Sequence, residues 1–297
     1  MSFCAEVKNE LISLRPYACC KPSYVYGFML FARSFSFKKI ALQTTNERVA
    51  LAYKDAIFSV FRVKAQISVG GNLRPTYKAE ITNESDKLKI LASVDFGMGE
   101  NKIDTSYFER ECCIQAFIRG AFLACGNIND PEKEYRAEFN VKNEELANEL
   151  TSILKDMGID MKMAKRQNGV QLYTKESTVI EDLLTFMGAG KKTLDIIDTK
   201  IMKEVKNNIN RARNCDNGNI SKTVEASIKQ RKAIEKLERL DRLYSLPHEL
   251  LSAALLRRDN PELTLKELCK LSSEPLTISG INHRLKKIIE LADEIAE

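Results

Sequence analysis

The cysteines are the residues of this sequence with the most distinctive chemistry. Four of the eight form two adjacent doublets, Cys19-Cys20 and Cys112-Cys113. Thiolates bind zinc, so the two doublets together offer the ligands of a Cys4 site. Zinc-binding pairs, however, are usually spaced two to four residues apart. A chain of this length without a secretory signal also argues against disulfides. We therefore expect small, buried, reduced side chains and no bound metal or cofactor.

The composition predicts a globular protein of two domains. Of its 297 residues, 44% are hydrophobic and 29% are charged, and the net charge is +5. No apolar run reaches the roughly 18 residues that span a bilayer. Charges interrupt the opening stretch where a signal peptide needs an apolar core. We expect a cytoplasmic protein that contacts no membrane.

The first cysteine doublet opens a segment that recurs later in the chain. Residues 19–35, CCKPSYVYGFMLFARSF, align with residues 112–128, CCIQAFIRGAFLACGNI, at an offset of 93. Both cysteines match, and so do Gly27 and Gly120. The hydrophobic patterns after each copy follow the same order, so each half is predicted to fold as α-β-β-α-β-β-α.

Both repeated helices carry small residues along one face. In the second copy these are Ala116, Gly120 and Ala124, at i, i+4 and i+8. Their equivalents in the first copy are Ser23, Gly27 and Phe31. Such stripes let two backbones approach closely. We expect the two helices to pack on each other with Phe31 opposite Ala124; the alternative is that each stripe packs on its own sheet.

The two helices and the elements after them resemble the LAGLIDADG homing endonucleases. In that family the helices pack at a pseudo-twofold axis, the sheets form a saddle over DNA, and each motif ends in an acid that holds a catalytic metal. The resemblance implies that Ala32 and Cys125 stand at these acid positions. Neither offers an oxygen ligand to a hard cation, which predicts that phosphodiester hydrolysis has lost its centre.

The character of the sequence changes after residue 190. Residues 200–232 contain nine Lys or Arg against three acids. Such an excess is typical of a segment that contacts phosphates. We expect its Asn and Arg side chains to lie in a turn and to bind DNA. The candidates are Arg211, Arg213, Asn214 and Lys222. The alternative is a solvated linker.

The C-terminal pattern predicts a helix-turn-helix. Its first helix starts at a capping box of Thr264 and Glu267, with Leu265, Leu268 and Leu271 on its apolar edge. The second helix is predicted to bury Ile278, Ile281, Leu285 and Ile288. Its outward residues are expected to contact DNA; they are Thr277, Ser279, Gly280, Asn282, His283, Arg284, Lys286 and Lys287. The alternative is a helical hairpin that binds another protein.

Over nearly its whole length the sequence resembles the WhiA family of bacterial regulators. The most specific segments are SGINHRLKKI (279–288) and RGAFLACGNINDPEKEY (119–135). The resemblance implies a transcription factor, without nuclease activity, that acts in sporulation, cell division or chromosome segregation. It also implies double-stranded promoter DNA as the partner, other transcription factors or RNA polymerase as further partners, and a nucleoid-associated location.

We therefore predict an α+β fold, with a bilobed, pseudo-twofold LAGLIDADG-like domain followed by an all-α helix-turn-helix domain. The predicted boundaries are 1–100 and 101–190 for the two repeats, 191–223 for a basic linker, and 224–297 for the DNA-binding domain. The alternative function is a metal-dependent endonuclease with carboxylates from outside the motif. Its candidate acids are Glu109, Glu111, Asp130, Glu132 and Glu134.

Overall fold

The computed structural model describes residues 2–71, 74–94 and 102–295. The chain divides into two units, Met1–Met202 and Lys203–Glu297. Strands occur in the first unit, whereas the described part of the second is helical. In the described ranges, no helix combines the length and the hydrophobicity needed to pass through a bilayer.

The first unit contains two copies of one order of elements, preceded by helix α1 (Phe3–Ser13). The first copy consists of α2 (Lys21–Leu30), β1 (Ser34–Phe35), β2 (Ile40–Thr44), α3 (Glu47–Phe61), β3 (Gln66–Gly70), β4 (Thr76–Ile81) and α4 (Glu84–Ser93). The second consists of α5 (Glu111–Cys125), β5 (Gly126–Ile128), β6 (Ala137–Val141), α6 (Glu144–Asp156), β7 (Lys162–Arg166), β8 (Gly169–Thr174) and α7 (Ser177–Met187). The predicted α-β-β-α-β-β-α order is confirmed in both halves.

Asparagine caps start the corresponding helices of the two copies. The side chain of Asn46 accepts a hydrogen bond from the backbone N–H of Arg48 at the start of α3, at 3.0 Å. Asn143 accepts one from the N–H of Leu146 at the start of α6, at 2.8 Å. A short polar side chain satisfies an N–H that has no partner inside the helix. The two copies therefore also share the asparagine caps at which α3 and α6 begin.

Each copy forms a four-stranded antiparallel sheet, in the orders β1-β2-β4-β3 and β5-β6-β8-β7. Leu42 pairs with Ala79 in the first sheet and Phe139 with Leu172 in the second, and all four side chains are buried. Neighbouring residues in a strand face opposite sides. Each sheet therefore has one face in the core and one polar face, on which Gln43 and Asn140 are exposed.

Helices α2 and α5 cross where glycines from the two copies meet. A methyl group on Gly120 would overlap the carbonyl oxygen of Tyr24 and would lie 2.8 Å from the backbone nitrogen of Phe28. A methyl group on Gly27 would overlap the carbonyl oxygen of Phe117. The predicted close packing of the two motif helices is thus confirmed, and the alternative of separate packing is wrong.

Aromatic rings fill the space beside this crossing. The ring of Phe117 lies 5.9 Å from that of Phe31 and 4.9 Å from that of Phe108, both edge to face. Such edge-to-face contacts are favourable because of the ring quadrupoles. Phe31 and Ala124, which we predicted to lie opposite each other, line the same cleft.

Helix α8 (Gly190–Arg239) contains the boundary between the two units. The turn predicted around Arg211 and Asn214 is wrong, because these residues are helical. Residues 191–223 contain no proline and a single glycine, Gly218, so nothing interrupts the backbone hydrogen bonds. Their six Lys and two Arg residues also favour a helix. Residues 204–226 are exposed on every side of it.

The rest of the second unit comprises a 3-10 turn (Leu243–Ser245), α9 (His248–Asp259), α10 (Leu265–Leu271) and α11 (Ile278–Glu294). The buried Arg257 connects two of these helices. Its guanidinium donates to the carbonyl oxygen of Leu263 at 2.6 Å, which ties the end of α9 to the loop before α10. This bond offsets part of the cost of burying the guanidinium, although burial still lowers the pKa of Arg257.

The close crossing of α2 and α5 predicts that Gly120→Ala destabilises the protein. Alanine normally stabilises a helix by about 1 kcal/mol relative to glycine. Gly120→Ala should instead lower the free energy of unfolding by about 1–3 kcal/mol, because the methyl group forces two backbones apart. Gly218→Ala is the matched control, since a methyl group there meets no atom within 4 Å. Chemical denaturation measures both variants; Gly120→Ala at least as stable as wild type would exclude the close crossing.

Candidate nucleic-acid interface

The second unit contains the predicted helix-turn-helix. Leu268 of α10 and Ile281, Leu285 and Ile288 of α11 are fully buried together. They pack against side chains from α8 and α9, including Ile234 and Ala254. This core holds α10 and α11 in a fixed geometry, as a helix-turn-helix requires.

The predicted start of α10 is confirmed, and the structure adds a cap for α11. Thr264 and Glu267 form the capping box of α10: the backbone N–H of Thr264 donates to Glu267 at 2.8 Å, and that of Glu267 donates to Thr264 at 3.3 Å. The bonds that the Glu267 carboxylate accepts from the backbone N–H and the hydroxyl of Thr264 lower the pKa of Glu267, because they stabilise its ionised form. Thr277 caps α11 by accepting from the N–H of Gly280 at 3.1 Å. A methyl group on Gly280 would lie 3.2 Å from the Thr277 hydroxyl.

Two apolar residues predicted for the buried face are on the surface. Leu271 and Ile278 are 56% and 50% exposed. They lie at the end of α10 and at the start of α11, where each helix has turned away from the common core. Apolar residues spaced three and four apart are buried only where another helix packs against them. No helix in the described ranges packs against these two positions closely enough to bury them.

The outward residues of α11 fall into two groups. Ser279, His283, Lys286 and Lys287 are exposed, and Asn282 is partly buried. Arg284, predicted to face outward, is only 17% exposed and forms ion pairs with Glu249 of α9 at 3.4 Å and Glu274 of the turn at 3.5 Å. Arg284 therefore holds α11 in place within the unit.

The four residues of α8 that we predicted to bind DNA are all exposed, namely Arg211, Arg213, Asn214 and Lys222. At about 100° per residue, Arg211 and Lys222 share one side of the helix three turns apart. Arg213 lies on the opposite side, so a single straight surface cannot contact all four residues.

The first unit has a cleft of about 640 Å³ at the C-terminal ends of α2 and α5. Ala32 and Cys125 both line it, so the structure brings to one cavity the two positions at which the resemblance implied the acids of the family. Its basic lining residues are Lys8, Arg33, Lys142 and Arg166. No Asp or Glu is found among the described residues that line this cleft.

Lysines provide the local charge near these former acid positions. The Lys8 ammonium donates to the carbonyl oxygen of Leu123 at 3.2 Å, in the last turn of α5. Burial lowers the pKa of Lys8, and it lowers that of Lys142 to about 8. Burial also raises the pKa of Cys125 to about 12, although Lys8 partly opposes this. Cys125 is thus a neutral thiol at physiological pH, beside the amino group of Lys8.

The acids of the endonuclease alternative lie away from this cleft. Glu111 is in the first turn of α5, at the opposite end from Cys125. Glu132 and Glu134 follow β5 in a loop, where Glu134 pairs with Lys175 at 3.4 Å. None of these acids lines the cleft.

Sequence reasoning missed the lysines of the cleft. Lys8 belongs to α1, which we did not predict although Ser2 caps it and Val7 and Leu11 give it a buried face four residues apart. Lys142 follows strand β6, and its burial has no signal in the sequence alone.

Comparisons with known proteins agree with both units. The model of the WhiA LAGLIDADG-like domain matches residues 114–206, and that of the WhiA C-terminal HTH domain matches residues 209–292. A "Probable cell division protein WhiA" of Carboxydothermus hydrogenoformans is 35% identical, over 99% of this chain and 98% of that protein. The chain belongs to the WhiA family. The LAGLIDADG-like domain and the helix-turn-helix domain that the sequence predicted are therefore both present.

Solved structures show the same fold. The crystal structure of full-length WhiA from Thermotoga maritima matches all of both chains with 25% identity and a TM-score of 0.61. The N-terminal LAGLIDADG domain of a WhiA protein matches with 20% identity and a TM-score of 0.51, over 63% of this chain and 92% of that one. The LAGLIDADG-like fold of the first unit is therefore confirmed.

Ala32→Asp and Cys125→Asp should lower the free energy of unfolding by different amounts. Ala32→Asp places a carboxylate at a site that is 1% exposed. It should lower the free energy of unfolding by about 3 kcal/mol or more at neutral pH. Cys125→Asp should cost less, because Lys8 stabilises the new charge. Ala32→Asn and Cys125→Asn separate the effects of volume from those of charge.

Denaturant unfolding between pH 5 and pH 8 measures these differences. The folded-state pKa of an aspartate at position 32 should be raised, so the penalty is complete above that pKa and declines as the pH falls. Equal losses for the two aspartate variants at every pH would show that Lys8 does not act on this site.

Proposed function

We propose that the protein is a sequence-specific DNA-binding transcriptional regulator. The observation that carries this proposal is the polar, exposed surface of α11, on a helix-turn-helix that the WhiA C-terminal HTH model matches. In such motifs the second helix enters the major groove and its first turns contact base edges. We assign this role to α11.

We assign two roles to the residues of α11: most contact DNA, and one orients the helix. Asn282 and His283 carry side chains that hydrogen-bond to bases, and Lys286 and Lys287 suit flanking phosphates. Ser279 and the capping residue Thr277 lie at the start of the helix, where the backbone also favours an anion. Arg284 keeps α11 oriented through its carboxylate partners. Arg284 can contact a DNA phosphate only if it releases Glu249 or Glu274.

The exposed basic segment of α8 adds contacts that do not depend on sequence. Arg211 and Lys222 share one side of the helix, and both are exposed, as are Arg213 and Asn214. Phosphate contacts of this kind release counterions and strengthen binding to any duplex. We propose residues 191–223 as the segment between a scaffold of two repeats (1–100 and 101–190) and a DNA-binding domain (224–297).

The scaffold has the fold of a nuclease family without its metal ligands. Hard divalent cations bind carboxylate and carbonyl oxygens. The absence of acids from the described cleft lining supports a role without hydrolysis. The positive cleft instead suits an anionic surface, such as a DNA backbone.

The relatives indicate the cellular process. Their printed name is "Probable cell division protein WhiA". We propose that this chain regulates genes of cell division, chromosome segregation or sporulation. It acts on the nucleoid at promoters and works with RNA polymerase or other transcription factors.

If α11 contacts base edges, removing one of those contacts should weaken binding to a specific DNA site more than binding to nonspecific DNA. Asn282→Ala should weaken binding to a specific site by about 1–3 kcal/mol and binding to nonspecific DNA by much less, because only the specific complex uses the amide. Asn148→Ala is the matched control, since Asn148 is exposed on α6 outside the proposed interface. The specific site is first selected from genomic fragments, and fluorescence anisotropy then measures both variants on both DNAs.

Two results would count against this assignment. Equal losses on specific and nonspecific DNA would make Asn282 a backbone contact. Binding of the full-length protein to all fragments with one affinity would remove sequence specificity altogether. Circular dichroism shows whether the variant keeps its helices, so that a folding defect is not mistaken for a lost contact.

A further inference from the structure

The two cysteine doublets converge in the folded chain. The sulfur atoms of Cys19, Cys20, Cys112 and Cys113 all lie within 4.8 Å of one another. Those of Cys19 and Cys20 are 3.6 Å apart. A tetrahedral zinc ion with Zn–S bonds of about 2.3 Å separates its sulfur ligands by about 3.8 Å. The four thiols therefore stand near the spacing that one such ion requires.

The alternative sulfur chemistries fit this spacing less well. A disulfide needs sulfur atoms about 2.05 Å apart, and all eight cysteines of the described chain are free thiols. An iron–sulfur cluster places several metal and sulfide atoms between its cysteine ligands and so holds them further apart than a single ion does. The observed spacing suits one metal ion.

The doublets occupy equivalent places in the two repeats. Cys19 and Cys20 end the 3-10 turn that leads directly into α2, and Cys112 and Cys113 lie in the first turn of α5. The positive ends of two helix dipoles therefore point toward the four sulfur atoms, which favours thiolates. The same offset of 93 residues relates the two doublets and the two glycines at the helix crossing.

Burial and charge also suit a metal-bound thiolate cluster. Cys20 and Cys113 are 2% and 0% exposed, whereas Cys19 and Cys112 are accessible enough for an ion to enter. The charge of Arg110 also lies close to Cys19. The cluster is thus reachable from solvent and lies beside a positive charge that favours thiolates.

We propose that Cys19, Cys20, Cys112 and Cys113 bind one zinc ion in a structural Cys4 site. Binding converts four thiols to thiolates and releases four protons, so a Zn²⁺ ion and four thiols give a complex of charge −2. Arg110 and the two helix N-termini offset that charge. Four thiolates leave no open position for water, which makes the site structural rather than catalytic.

The site would fix the two repeats at one end of their shared helix pair. Helix α5 has 15 residues, so its ends are about 22 Å apart at 1.5 Å per residue. The cysteines lie at the N-terminal end, and the basic cleft lies at the C-terminal end. Bound zinc would therefore stabilise the lobes without contacting the cleft.

Metal analysis and cobalt spectroscopy on the full-length protein test this proposal. The protein is purified without a histidine tag, reduced, stripped with chelator and titrated with Co²⁺. We expect the visible bands of tetrahedral cobalt thiolate to saturate at one ion per chain, and Zn²⁺ to displace them. Mass spectrometry of metal content should find one zinc per chain in protein that was not stripped.

Paired variants assign the ligands. Cys19→Ser with Cys112→Ser should abolish the cobalt bands, whereas Cys4→Ser with Cys269→Ser should leave them unchanged, because these two thiols lie outside the cluster. If the double variant at 19 and 112 fails to fold, Cys19→Ser alone alters an accessible residue and should weaken Co²⁺ binding at least about tenfold.

A second readout is thermal stability. Removing the metal should lower the melting temperature of the wild type more than that of Cys19→Ser, since the variant holds the ion more weakly and gains less stability from it. Each of three results would overturn the proposal: no metal in the wild type, equal binding by the ligand variants, or iron with inorganic sulfide in place of zinc.

Discussion

The contact on which the first unit depends is the crossing of α2 and α5 at Gly27 and Gly120. With no side chain at either position, the two backbones approach so closely that each repeat becomes part of the core of the other. The ends of the helices then acquire fixed neighbours. The C-terminal ends open into the basic cleft, and the N-terminal ends bring four thiols together. One close contact therefore sets two distant sites.

Much of the fold could be predicted from the sequence because the repeat doubles each local signal. The cysteine doublet, the glycine and the order of strands and helices all occur twice, so each copy supports the assignment of the other. The turn predicted in 191–223 shows the limit of this reasoning. The asparagine-rich composition suggested a turn, but the segment contains no proline and a single glycine, so nothing in it stops a helix that begins before it and continues after it.

The candidate sites could be predicted only in part. The residues of α11 and the former acid positions follow from motifs, whereas Arg284 was assigned outward by periodicity and is held instead by Glu249 and Glu274 from other elements. Lys8 reaches the cleft from a helix that precedes the repeat. The adjacent cysteines looked unsuited to zinc because the usual spacing describes one local loop, whereas these four sulfurs come from two distant segments. Long-range contacts of this kind carry no local signal.

We propose that this nuclease-like scaffold serves DNA recognition without cleavage. The most direct measurement incubates the full-length protein with supercoiled plasmid and genomic fragments, with Mg²⁺ or Mn²⁺, and follows footprints and strand breaks in the same reactions. The account predicts protected sites of defined sequence and intact DNA. Metal-dependent strand breaks that co-purify with the protein and disappear in Asp130→Ala or Glu132→Ala would contradict it.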